Sequence, residues 1–331
     1  ENQDLRETAR QLGVSHILEG SVRIQDVQIR VTAQLIDGLS GGHVWSERYD
    51  GQLEDVFELQ DEITRNIVGS IAPQIEIAEV NRSRTLPATN LNSYELSLKA
   101  QALLYDSARI GTAEAREQCI DAAQDALDLD SRNTLALWIK GYSCALQYLY
   151  RFGPDPEGSL ERARDTAETL LRVDSSNSRA YLIRAMVFTF RGEFDAAITD
   201  YRRAFDLNPN FALNAMIMAW GESLAGLTLD AREHAQLALR LSPRDLDLWL
   251  GDAYLALLQA SFAESDFEEA KKWGLLSIQM TPKAPIRRAL MTAICTHTGD
   301  PEGAARHAAE LERFAPDFIP SILNGEITLY K

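Results

Sequence analysis

The sequence predicts a mainly α protein: a solenoid of about six repeated helix pairs over residues 85–331, preceded by a small, truncated α/β segment over residues 1–84. Three observations predict it. A short phrase ending in proline recurs at a 34-residue interval. Residues 27–35 alternate between apolar and polar with a period of two. Between that stretch and the repeats, Leu53 to Ala72 carries apolar residues at helical spacing.

In chain order, Asp4 to Leu12 reads as a short helix ended by Gly13. Ser15–Ile24 and Val27–Asp37 read as strands. In the second, Val27, Ile29, Val31, Ala33 and Leu35 share one face, and Gln28, Arg30, Thr32 and Gln34 share the other. Gly38–Gly42 is a turn, His43–Tyr49 a third strand, and Leu53–Ala72 a helix that Pro73 kinks or ends. Three strands with two helices leave a sheet with an open edge. The chain starts at Glu1 without Met, and it reads as an excised fragment that begins inside a domain, or whose sheet a partner strand completes.

The repeat phrase appears as Ala204–Pro209 and returns as Ala238–Pro243, Ser277–Pro282 and Leu311–Pro316; Ser131 and Ser175 hold the proline position in two earlier copies. From Ser175 onward the intervals are 34, 34, 39 and 34, and from Ser131 to Ser175 the interval is 44. Small residues recur where two antiparallel helices must approach closely, as at Ala163, Ala197, Ala231, Ala270 and Ala304. Gly192, Gly226 and Gly299 fall where a tight turn needs positive φ. The prolines stop the second helix of each pair, since proline lacks an N–H and clashes with the preceding turn. This pattern resembles the tetratricopeptide (TPR) repeat over about residues 93–318. The resemblance implies units at 93–133, 134–177, 178–211, 212–245, 246–284 and 285–318, with 319–331 as a capping helix. Tyr148–Gly158 reads as an insertion between two helices, and a second short insertion falls near Ser261.

A second resemblance rests on Leu18-Glu19-Gly20-Ser21-Val22-Arg23, Thr32–Asp37, Trp45-Ser46-Glu47-Arg48-Tyr49-Asp50 and Gln60-Asp61-Glu62-Ile63. These blocks are similar to the latter part of the TolB-like α/β domain that precedes TPR arrays in bacterial signalling proteins. The β-hairpin departs from that family in lacking a glycine near Asp26. The resemblance implies an upstream output domain, either a class III adenylate/guanylate cyclase or a winged-helix DNA-binding domain.

Composition limits the function. The net charge is −16, with residues 1–84 contributing −7 (8 basic, 15 acidic) and the remainder −9 (25 basic, 34 acidic). No Lys/Arg run exceeds two residues, so this chain lacks the basic face that nucleic-acid binding uses. No stretch approaches the ~20 apolar residues of a membrane span; the most apolar run, Leu246–Ala260, is broken by Asp247 and Asp252. Cys119, Cys144 and Cys295 are far apart and odd in number, and they read as buried residues in a reducing compartment. The five histidines share no metal-ligand spacing, and HExxH, CxxC, Walker and GxSxG motifs are all missing from the sequence. The expectation is therefore no cofactor, no metal and no catalysis by this chain. Trp45, Glu47, Arg48, Tyr49 and Asp50 form a charged aromatic cluster that reads as sheet packing, with a binding edge as the rival.

The TPR resemblance implies a concave groove lined by first-helix residues. Mapped onto this sequence, the candidates are Trp138, Tyr142, Arg179, Met186 and Phe190, then Met216, Trp220, Asp247, Tyr254 and His297. Aromatic and Arg anchors dominate many interfaces, and Met surfaces adapt to several partners. The groove would take a protein or peptide, or mediate self-association. A tight superhelix that fills its own groove, or an N-terminal segment packed into it, would use the same residues as core. The sequence thus points to a cytoplasmic, non-catalytic interaction and regulatory scaffold of a bacterial signalling protein of the cyclase type. The alternative is the sensory half of a winged-helix transcriptional regulator.

Overall fold

The computed structural model describes residues 5–52, 92–241 and 250–324, together with Glu54, Ile63, Ile71, Ile75 and residues 78–80. The chain divides into two compact units, Glu1–Arg82 and Ser83–Lys331. The helix expected at Leu53–Ala72, and Pro73 after it, lie largely outside the described residues.

The first unit opens with α1 (Leu5–Leu12), which Gly13 ends at φ 66° while Val14 N–H donates to Ala9 O. Three antiparallel strands follow as a meander: β1 (His16–Gln25), β2 (Gln28–Asp37) and β3 (His43–Gln52). Register sets Leu18 opposite Leu35 and Val22 opposite Val31, and β2 then meets β3 with Val31 opposite Tyr49 and Leu35 opposite Trp45. Apart from Glu47, which sits opposite Ala33, one face is therefore apolar across all three strands. Ile63 packs beside Ile29, Val31 and Tyr49, and Ile71 and Ile75 pack on Ala33, Leu35 and Trp45. Trp45 and Tyr49 are thus packed into the sheet's own core. Arg48 pairs with Asp50 at 3.2 Å, and Arg30 reaches the same carboxylate at 2.6 Å across the wet face. The two-residue turn between β1 and β2 has Asp26 at φ 54°, a conformation that Asp tolerates better than most side chains.

The second unit contains six helix pairs and a closing helix among its described residues. They are α2 (Ser93–Ile110) with α3 (Ala113–Leu129), α4 (Thr134–Tyr150) with α5 (Pro156–Val173), and α6 (Ser178–Phe190) with α7 (Phe194–Leu207). Then come α8 (Ala212–Leu224) with α9 (Thr228–Leu241), α10 (Leu250–Ala263) with α11 (Phe267–Met280), α12 (Pro285–His297) with α13 (Pro301–Phe314), and last α14 (Phe318–Leu323). One continuous core runs from Ala100 to Phe318. Close approach within pairs is allowed by Ala123, Ala163, Ala197, Ala231 and Ala270, each at most 1 % exposed.

The turns inside the pairs share one geometry. In five of them an N–H donates to the carbonyl five residues earlier: Phe152 to Gln147, Glu193 to Phe188, Leu227 to Glu222, Asp266 to Ser261 and Asp300 to Cys295. The residue just before each donor has positive φ: Arg151, Gly192, Gly226, Ser265 and Gly299. This is the Schellman closure of a helix C-terminus. Asp155, Asp266 and Asp300 then cap the second helices by accepting the N–H of Gly158, Glu269 and Gly303.

These turns correct two expectations. Tyr148–Gly158 is not an insertion: α4 continues to Tyr150, α5 begins at Pro156, and only five residues connect them. Relative to the α6–α7 unit, the ten extra residues divide as four in the first helix, two in the turn and four in the second helix. Near Ser261 there is likewise no inserted loop. Ser261 is a buried residue of α10, which ends 20 residues after Pro243, whereas α8 ends 15 residues after Pro209.

Candidate functional site

The first helices of units two to six converge on one interior cavity. Tyr142, Leu146, Leu149 and Tyr150 come from α4, Met186 from α6, Ile217 and Trp220 from α8, Asp252 and Leu255 from α10, and Ile286 from α12. The space left among them is about 20 Å³, room for a water molecule or two. The array coils back on itself: a Cβ built on Gly111, in the turn of the first pair, would stand 2.7 Å from Lys283 Cβ, just before α12. Helices that an open solenoid would hold apart therefore share one interior.

Five of the expected groove residues are consequently interior. Trp138, Tyr142, Met186, Met216 and Trp220 are 0–5 % exposed. Trp138 and Tyr142 stack at 4.7 Å, and Trp220 meets Phe190 edge-on at 5.9 Å. Arg179, Phe190 and Tyr254 are half-buried and His297 is exposed. Arg179 lies over Trp138 at 5.4 Å and over Phe211 at 5.3 Å; Tyr254 stacks on Trp273 at 6.0 Å, and His297 on Phe267 at 4.4 Å. Asp247 lies outside the described residues. Of the expected groove residues that are described, Arg179, Phe190, Tyr254 and His297 thus keep accessible surface.

Sequence reasoning missed the charges inside. Arg287, 2 % exposed, donates Nη2 to Asp252 Oδ1 at 2.5 Å and Nε to Ser277 Oγ at 2.7 Å, and Ser277 Oγ in turn donates to Gly251 O. Burial raises the Asp252 carboxyl above its ordinary range, an effect that the Arg287 guanidinium only partly offsets. Tyr142 and Tyr150 carry phenols that burial raises, and both feel Asp252, Arg287 and Arg116. The one sequence signal for this network was that Asp252 interrupts the apolar run Leu246–Ala260. A second buried pair joins Glu222 to His234 Nδ1 at 2.8 Å; that hydrogen bond raises the histidine's pKa above its ordinary value.

The three cysteines are free and buried, and burial raises each thiol. Among the described residues no three of His, Cys, Asp or Glu converge on a metal-sized site, and no helix is long and apolar enough to cross a membrane.

Residues 178–211, the α6–α7 pair and its flanks, match the family model described as tetratricopeptide repeat. Among curated proteins the chain is similar to "Putative adenylate cyclase 3" of Rhizobium meliloti (strain 1021), 29 % identical over 194 residues. That alignment takes in 59 % of this chain and 32 % of the relative, so the chain spans about a third of the relative's length. Among solved structures it is similar to the APC/C hetero-tetramer Cut9–Hcn1, with TM-score 0.54, 14 % identity, and coverage of 81 % of this chain and 48 % of that one. It is also similar to a thermophilic TPR protein of Thermus thermophilus, with TM-score 0.45, 15 % identity, and coverage of 60 % and 98 %. The architecture is a TPR-like solenoid.

Proposed function

We propose that this chain is the interaction and regulatory scaffold of a bacterial signalling protein of the adenylate/guanylate cyclase type, acting in the cytoplasm and contributing no catalytic group itself. The observation that carries the reading is the stack of six helix pairs, one of which matches the tetratricopeptide repeat. Such stacks present long surfaces suited to binding other chains. The similarity over 194 residues to a protein named as an adenylate cyclase supports the signalling context. The first unit would be the TolB-like segment linking that output to the solenoid.

The partner is a protein or peptide segment, or a second copy, docking on the rim formed by Arg179, Phe190, Tyr254 and His297. Trp138 lies under Arg179 and Trp220 against Phe190, which holds those two side chains in place.

The test uses the complete natural gene product. A photo-crosslinking residue is placed at Tyr254 or at His297, with Leu229, 78 % exposed on α9, as the control. Cyclic AMP and cyclic GMP formation is measured beside it, with and without Arg179→Ala and Tyr254→Ala. The expected result is one crosslinked chain at positions 254 and 297 but none at 229, and altered nucleotide output in the variants. Crosslinking from 229 alone contradicts the rim, and no turnover of ATP or GTP contradicts the cyclase context.

A further inference from the structure

Three helix pairs place a polar side chain at the same position. The seventh residue of the second helix is Asp200 in α7, His234 in α9 and His307 in α13, counted from Phe194, Thr228 and Pro301. Each reaches the first helix of its own pair: Asp200 meets Arg184 at 2.6 Å, His234 Nδ1 meets Glu222 at 2.8 Å, and His307 Nδ1 meets Arg288 Nη1 at 2.9 Å. The position is shared, but the response to a proton is not. A charged imidazole strengthens the contact of His234 with the Glu222 carboxylate. At His307 the partner is a guanidinium, which can only donate. His307 Nδ1 is therefore the acceptor, and the imidazole is neutral with its proton on Nε2.

The setting resists a second proton. His307 is 6 % exposed and lies between Gly303 and Leu311 on the buried stripe of α13. Arg288 is fixed against it by two further contacts, Nε donating to Pro282 O at 3.2 Å and Nη2 pairing with Glu310 Oε2 at 2.7 Å. Among the described residues, the charged groups facing the ring are Arg288 from α12, Asp300 from the turn, and Arg306 and Glu310 from α13 itself; α14 has none. Asp300 is held by Lys271 at 3.1 Å and by the Gly303 N–H, and Glu310 by Arg288. Charging the ring would set two cations together where water screens them poorly. Burial first, then Arg288 and Arg306, lower the histidine's pKa below its ordinary value, against the smaller pull of Glu310 and Asp300.

We propose that His307 is a proton-released latch on the sixth helix pair: charging its imidazole breaks the bond to Arg288 and lets α13 open from α12. His234, at the equivalent position of the fourth pair, acts in the opposite sense and holds α9 to α8 more firmly as the pH falls. The array thus carries two proton-sensitive seams of opposite sign. The one that yields in acid is the pair that bears His297.

The test is hydrogen exchange of the whole chain between about pH 5 and 8, with each rate divided by the intrinsic rate at that pH. A histidine whose folded pKa lies below its unfolded value of about 6.5 contributes stability above that value and loses it as the pH falls. Protection over residues 301–314 should therefore drop by up to about tenfold per pH unit below about pH 6.5, while protection over 228–241 should not fall. His307→Gln keeps an acceptor for Arg288 but does not titrate, and it should flatten the slope over 301–314. His234→Gln should leave that slope as it is. Wild-type protection over 301–314 that stays level with pH overturns the proposal, and so does a slope that survives in His307→Gln. If His307→Gln does not fold, NMR titration of the wild-type imidazoles decides it, and a His307 midpoint at or above about 6.5 overturns the latch.

Discussion

In the sheet of the first unit the apolar face spans three strands, but packing covers only two of them. Ile29, Ala33, Leu35 and Trp45 are at most 4 % exposed, while Leu18, Val22 and Ile24 of β1, on the same face, are 49, 64 and 60 % exposed. In the solenoid each helix pair offers its apolar side to the next, and the first pair's turn touches the link into the sixth, so one core extends from Ala100 to Phe318. A half-covered face is held by a few contacts, whereas a closed array has enough burial to carry charged residues inside. The solenoid's sensitive points are therefore its interior charges, and the sheet's are its few large side chains.

The largest expected effect is at Arg287. Replacing it with Met strands the Asp252 carboxylate and should cost about 3–5 kcal/mol, read by urea unfolding. The double variant with Asp252→Asn should recover part of that loss; if it recovers none, the pair is not the source. Next is Trp45→Ala, expected to cost about 3 kcal/mol but only within the sheet. Hydrogen exchange should show lost protection over residues 16–52 and none over 93–323, and lost protection in both would erase the distinction drawn between the units.

A smaller effect belongs to the Glu222–His234 pair. The folded histidine has a raised pKa, so its contribution is fully present below the unfolded value of about 6.5 and is lost as pH rises through the folded value. Wild-type stability should therefore fall relative to His234→Gln from about pH 6.5 upward, in urea melts repeated across that range; parallel curves would show that the pair is not linked to pH. The smallest effect is Val22→Thr on the uncovered half of the sheet, within about 0.5 kcal/mol. A larger loss in chemical denaturation would mean that β1 is covered in solution.

Much of this architecture was legible because its signals are local. The 34-residue interval, the small residues within pairs and the alternation of β2 each report a neighbour a few residues away. The turns were legible at Gly192, Gly226 and Gly299 but not at Arg151 or Ser265. These last two take the same positive φ without the glycine that announces it, and there the sequence read as insertions. The sequence grouped the candidate groove residues, but the burial of Trp138, Tyr142, Met186, Met216 and Trp220 was not readable. Whether Trp220 faces solvent or an opposing helix depends on how tightly the array coils, which sums small rotations over five units. The interior charges escaped for the same reason, since Asp252 and Arg287 lie 35 positions apart and Arg116 is in another unit.

That coiling is the central claim, and a distance measures it directly. Spin labels at Glu114, beside the turn of the first pair, and at Lys283, before the sixth, both exposed, would report whether these two points meet. Closure predicts a single distance distribution below about 20 Å, whereas an open array stacking helices at 8–10 Å per layer would separate the labels by about 40 Å. A short distance supports the filled interior and the proposed rim. A long one would mean that the groove stands open and that Trp138, Tyr142 and Trp220 are available to a partner after all.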